Sequence, residues 1–233
     1  MFRHLIFHLN SLADPLLLRA HYQLGLAKIM QQRYGQPQQF WVDIQTQIFA
    51  DWDSYHADLN YSGEDGMADM REGRFRLTCA LFRLAKIPEP PKQEITQLAD
   101  DLIAQAPKCA DALGQDSIDL LLMLHKQGYF LSIISYYPEQ QVQAILCGAD
   151  IEEKISYVIG ANTFEQFDMN SRYFMSLVNH LRCQPPECIY IDNQDEVIEA
   201  AAQLGMKTLY VKYCSTSQFT ASCPQFADNL SQK

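Results

Sequence analysis

Short apolar runs in this sequence end on side chains that can do chemistry. The first, His4 to Leu9, closes on His8-Leu9-Asn10-Ser11; the second, Tyr129 to Ser135, closes on a serine; and Cys188-Ile-Tyr-Ile-Asp192 is followed by Asn193. Asp168 stands just ahead of a helical stretch that starts near Asn170. The His8 imidazole can hold or release a proton near neutral pH, and it can act as a nucleophile. The Asn10 amide has no titratable proton and cannot shuttle one. Asp192 carries a carboxylate suited to hard cations, whereas imidazole is a poor partner for them. Each position also has a plainer reading. His8 and Asn10 serve as polar residues at a solvent-facing strand end, and Ser135 as the cap of the next helix. Asp195 and Glu196 lie in a first helical turn, where acids favour the helix dipole.

These residues are positioned by an alternation of strands and helices. The runs Tyr129–Ser135, Ile155–Ile159, Cys188–Asp192 and Thr208–Val211 are short, rich in β-branched and aromatic residues, and bounded by turn residues, as buried parallel strands are. Helical periodicity follows or separates them at Asp116–Gln127, Pro138–Leu146, Ser171–Leu181 and Asp195–Leu204. Such alternation predicts a parallel sheet with helices on both faces. Right-handed crossovers then bring the strand C-termini, and with them the residues above, to one edge. The interval 15–110 contains no strand pattern. It predicts helices over Pro15–Tyr34, Gln38–His56, Gly66–Ala85 and Lys92–Ala106, a small bundle capping the sheet edge. The tail after Tyr213 is polar and is expected to fray.

Composition narrows the functions available. Hydrophobic residues make up 48% and charged residues 20% of the 233, ordinary values for a globular protein. The net charge of −10 argues against nucleic acid, because the densest basic cluster is only Arg71, Arg74 and Arg76. Seven cysteines, an odd number without a CxxC pair, point to reduced thiols and a cytoplasmic setting. The N-terminal apolar stretch is short for a signal peptide and broken by His8 and Asn10. No run approaches the roughly 18 apolar residues of a membrane span.

Within the interval 15–110, the stretch from Trp52 to Gly66 is dense in aromatics and acids. It reads either as the lining of a ligand pocket between cap and sheet or, the reading the sequence favours, as a surface turn permitted by Gly63 and Gly66. His21, His125 and His180 occur singly within helices and read as structural.

The order of elements and four strand-end positions together resemble the haloacid dehalogenase-like superfamily, which is dominated by phosphatases and other phosphoryl-transfer enzymes. The resemblance spans nearly the whole chain. It implies a Rossmann-like core formed by residues 1–14 and 111–233, with a helical cap at 15–110. In that family the first strand ends in Asp-x-Asp-x-Thr, with a nucleophilic Asp, an acid/base Asp and Mg²⁺ between them. Here His8 stands at the nucleophile position, Asn10 at the acid/base position and Leu12 at the Thr position. Ser135 matches the hydroxyl that holds the phosphoryl oxygen. Aligning on Phe174 puts Asp168 where the family has a Lys, and leaves Arg172 as the nearby cation. Asp192 keeps the first acidic position of the last motif, while Asn193 replaces the metal-binding carboxylate and Val197 a later acid.

The resemblance therefore implies a family member without the usual carboxylates, which binds a small ligand or a protein partner instead of catalysing hydrolysis. No cofactor is expected, and Mg²⁺, the family metal, should not be held by Asp192 and Asn193. The alternatives are a working phosphatase on a small phosphorylated metabolite, with His8 as nucleophile or with acids recruited from Asp14, Asp192 or Asp195, and a structural subunit with an apolar patch on its cap. The exchanged signs at His8 and Asp168 further predict that these two pair across the cleft and that the His8 pKa is raised.

Overall fold

The computed structural model describes residues 2–109 and 113–211; the tail expected to fray lies outside the described residues. Five strands, β1 (His4–His8), β2 (Phe130–Ile134), β3 (Tyr157–Ile159), β4 (Cys188–Asp192) and β5 (Lys207–Tyr210), form one sheet in the order β3-β2-β1-β4-β5. All pairings are parallel. The first strand lies in the middle because the chain builds outward on one side with β2 and β3, then crosses to the other side with β4 and β5. That reversal opens the crevice in which such sheets place ligands.

Alternation along β1 assigns its side chains to two layers. Leu5 and Phe7 join Leu131 and Ile133 under α6 (Gln115–Lys126) and α7 (Glu139–Gly148). Beyond the short α8 (Ala161–Phe164) that follows β3, Ile6 joins Ile134 and Tyr190 under α9 (Ser171–Leu181) and α10 (Asp195–Gln203). Both layers are dry and well filled, which holds the strand ends in fixed register. The strand and helix ranges follow the periodicity of the sequence closely; β1 closes at His8, one residue earlier than its apolar run.

Between β1 and α6 the chain forms α1 (Pro15–Tyr34), α2 (Gln38–Ala50), α3 (Trp52–His56), α4 (Gly66–Ala85) and α5 (Lys92–Gln105). Helix α1 starts where the Asp14 carboxylate accepts the Leu16 N–H at 2.8 Å and Pro15 supplies a pre-set first turn. These helices enclose their own core around Trp41, Phe82, Met30 and Leu98. The single helix expected over Gln38–His56 is two. At Asp51 the backbone leaves helical geometry (ψ 30°), and its carbonyl and carboxylate both accept from the Ser54 hydroxyl. A local side-chain bond of this kind competes with helix continuation. The bundle is seated on the sheet layer through α5 and the turn Ala106–Cys109, which pack against α7 and α1. Gly25 permits that contact: a Cβ there would lie 2.0 Å from the Ala106 carbonyl oxygen. Among the described residues, no helix is long and apolar enough to cross a membrane.

Candidate functional site

His8 and Asp192 meet at the centre of the sheet. The register pairs Ile6 with Tyr190 and Phe7 with Ile191, so His8 and Asp192 are neighbours on the α9/α10 face of adjacent strands. Both are completely buried, with His8 Nδ1 3.7 Å from Asp192 Oδ1. A solvent-facing strand end is thereby ruled out for His8. Its Nδ1 accepts the Asn10 N–H at 3.3 Å, which assigns the ring proton to Nε2, and that atom is buried without a partner. Burial lowers the His8 pKa, outweighing the opposite pull of Asp192. The imidazole is neutral at physiological pH.

Asp192 is occupied by its own strand. Tyr190, two residues earlier and so on the same face, donates its hydroxyl to Oδ2, and the Asn193 N–H donates to Oδ1 at 2.6 Å. Burial, together with the Asp192 carboxylate, pushes the Tyr190 pKa well up, so this phenol stays protonated as the donor. Asn193 also ties the two central loops together, its Nδ2 donating to the Asn10 carbonyl at 3.4 Å. Ser135 is buried, and its Oγ accepts the Tyr137 N–H at 3.1 Å, a local turn bond ahead of the Pro138 N-cap, so the hydroxyl does not cap α7 as the sequence suggests. Asp195 and Glu196 are exposed in the first turn of α10, and Val197 is buried.

Two sequence expectations are overturned. The carboxylate beside His8 belongs to Asp192 and not to Asp168. Asp168 is exposed and accepts a hydrogen bond at 2.9 Å from Ser62, in the loop before α4. The His8 pKa accordingly moves down, not up, because the ring lies in a dry layer rather than against an exposed anion. Arg172 is also exposed, in the first turn of α9, and among the described residues it forms no ion pair.

The sequence reading missed Tyr136. Its ring packs edge-on to His8 at 5.0 Å between centroids, and its hydroxyl donates to Gln194 at 3.3 Å. Burial and the nearby Asp192 push its pKa up to about 12. Tyr136 thus covers the imidazole like a tile. On its other side lies a cavity of about 790 Å³ between the helices α1–α4 and the start of α7. The Trp52–Gly66 stretch lines this cavity with Trp52, His56, Tyr61 and Ser62, so the turn reading favoured from sequence is incomplete. A chain of ring contacts runs along that wall, stacked from Phe49 through Trp52 to His56 and tilted from there to Tyr61 and Phe167. The loop carrying Tyr61 is held to α4 by a forked ion pair of Arg76 with Asp58 (2.5 and 3.0 Å) and by Asp69 accepting the Asn60 N–H. Gly66 closes it tightly: a Cβ would meet the Tyr61 carbonyl oxygen at 2.0 Å. His21, read as structural, also faces the cavity, whereas His180 packs edge-on against Tyr157 and Phe164.

The central residues do not fit Mg²⁺. That ion takes an octahedron of oxygens, commonly several retained waters with one or two accessible carboxylates. The donors present are a buried imidazole, two amides and one carboxylate whose two oxygens are already bonded. Among the described residues, no three His, Cys, Asp or Glu side chains gather as a metal site. Of the described cysteine side chains, Cys79, Cys183 and Cys188 are buried and Cys147 is exposed.

A parallel sheet with a helical cap inserted after its first strand, and polar groups gathered at its strand ends, defines a capped Rossmann-like hydrolase fold. Residues 82–211 match the family model described as haloacid dehalogenase-like hydrolase, more than half of the chain. The chain belongs to this family. Its fold is similar to that of L-2-haloacid dehalogenase from Xanthobacter autotrophicus (TM-score 0.54, 15% identity, 93% of this chain and 80% of that one). It is similar also to the HAD-hydrolase YfnB from Bacillus subtilis bound to magnesium (TM-score 0.56, 14% identity, 90% and 88%). A third likeness is to 2-haloacid dehalogenase from Pseudomonas syringae pv. Tomato DC3000 (TM-score 0.53, 15% identity, 94% and 91%). No curated protein matches the chain in sequence.

Proposed function

We propose that this chain is a non-catalytic member of its family, a small-ligand-binding protein whose hydrolytic centre has become part of the core. The observation that carries this reading is the burial of His8 beside Asp192, whose two carboxylate oxygens are taken up by Tyr190 and the Asn193 N–H, where the resemblance puts a nucleophile and a metal. A nucleophile must reach its substrate, and a metal carboxylate must have free lone pairs. Neither condition is met by side chains roofed by Tyr136. Loss of the carboxylates at positions 8, 10 and 193 removes the charge that would hold Mg²⁺, so millimolar Mg²⁺ should not bind here. The open space has moved to the cap side of Tyr136, where the cavity of about 790 Å³ is the size of ordinary small-molecule sites.

The test is hydrolysis of p-nitrophenyl phosphate and of 2-chloropropionate with and without millimolar Mg²⁺, beside calorimetric titration with the metal. Background rates and no metal heat are expected. Turnover that depends on Mg²⁺ and disappears in Asp192→Asn overturns the proposal.

A further inference from the structure

We infer that the cavity between α1, α4 and α7 binds an amphipathic carboxylate, an anionic head on a long aliphatic or aryl body, with Arg74 as the anchor of the head. Arg74 projects from the middle of α4 into the cavity wall, and its Nε is buried without a hydrogen-bond partner. Among the described residues its guanidinium forms no ion pair, and Asp100 acts on it only through space, against Arg71. A guanidinium presents five donors and no acceptor, and a buried donor left unpaired is costly. Such a cost is retained where a ligand meets it. Arg19 adds a second cation at the rim, its guanidinium carbon 3.8 Å above the Phe49 ring.

The lining sets the rest of the ligand. Leu18, Leu77, Ile103, Ile145 and the rings of Phe49 and Trp52 make the cavity chiefly apolar. Its one acid is Asp168, already bonded to Ser62. Arg74 and Arg19, neither in an ion pair among the described residues, face an apolar space and, in a chain of net charge −10, reverse the local sign of the protein. Inorganic phosphate or a sugar phosphate would leave the apolar walls unused, and a neutral lipid would leave Arg74 unpaired. A carboxylate accepts from a guanidinium in a two-pronged fork.

The inference rests on the ligand-binding reading above, and its test separates the two. The full chain is titrated with dodecanoate below its micellar range, with dodecan-1-ol and dodecyltrimethylammonium as controls, by calorimetry and by fluorescence of Trp52 in the cavity wall. Dodecanoate is expected to bind one per chain and at least about tenfold more tightly than the alcohol, the value of one charge-assisted hydrogen bond. Arg74→Met should weaken dodecanoate by a similar factor and leave the alcohol unchanged. Arg74→Lys should recover part of the loss, and Arg19→Gln should cost only a few-fold. Circular-dichroism melts establish that each variant is folded. Equal binding of carboxylate and alcohol, no binding of either, or indifference to Arg74→Met overturns the inference. Phosphatase or dehalogenase turnover with Arg74-dependent dodecanoate binding intact overturns the non-catalytic reading alone. Failed binding without turnover overturns the ligand class alone.

Discussion

The centre of the sheet and the cavity beside it are separated by one tyrosine ring, yet they obey opposite rules. On the inner side of Tyr136, most polar groups pair within the core: Tyr190 donates to Asp192, Asn193 bonds both Asp192 and Asn10, and Asn10 bonds His8, leaving His8 Nε2 without a partner among the described residues. On the outer side, apolar walls surround an arginine with no described partner. A site that has stopped reacting can be absorbed into the fold, because nothing forbids it from pairing internally. A site that binds must keep some groups unpaired, and these lower stability. On the proposed reading, the contrast marks the cavity as the region open to a ligand.

The strongest challenge to this contrast is to restore the carboxylate. His8→Asp places a second acid beside the buried Asp192, and like charges in a dry layer oppose each other. The variant is expected to lose about 3 kcal/mol of stability in urea at pH 7. The new carboxyl should have a raised folded-state pKa, so the loss shrinks as pH falls and the acid becomes neutral. A variant as stable as the parent, and active with Mg²⁺, would show that the centre remains a reaction site.

Tyr190→Phe probes the same network with a smaller change. It removes one hydroxyl and leaves Asp192 Oδ2 buried without its donor. A loss of about 2 kcal/mol is expected from denaturant melts, and no loss would mean that water enters the layer and the centre is open. On the far side of Tyr136 the sign should reverse. Arg74→Met replaces a half-buried guanidinium, whose Nε has no described partner, with an apolar chain and is expected to stabilise the ligand-free protein by about 1 kcal/mol. A destabilised Arg74→Met would mean that Arg74 serves the cap and not a ligand.

The smallest expected effect is on pH dependence. Burial lowers the folded-state His8 pKa below its unfolded value of about 6.5. The unfolded chain then binds the proton more readily, so stability is full above that pH and falls as pH drops toward the folded value. His4 shifts in the same direction for the same reason. The urea midpoint should therefore decline between pH 8 and pH 5.5, and less steeply in His8→Gln. A midpoint that rises on acidification would indicate a charged His8 paired with Asp192 and a more polar centre.

Much of this protein was legible in its sequence, for reasons of period and punctuation. The β-branched runs ending in Gly or in polar residues marked all five strands, and Asp14-Pro15, Asn170 and Gly35 fixed helix ends within a residue or two. Even the contact of Asp192 with Tyr190 was implicit, since residues two apart on a strand share a face. The broken helix at Asp51 was not legible, because a side-chain bond to Ser54 competes with a periodicity that continues through it. The partner of His8 was missed for a different reason. Opposite signs at His8 and Asp168 suggest a contact, but register decides contacts, and register pairs β1 with β4. Arg74 is one of four arginines in α4, and nothing in the sequence sets it apart from the others. Only the packing of α4 against α2 and α5, and the gap left above α7, gave that residue a cavity and withheld a partner from it. Local sequence determined the elements; which polar groups were buried together and which were left facing open space was decided by long-range packing.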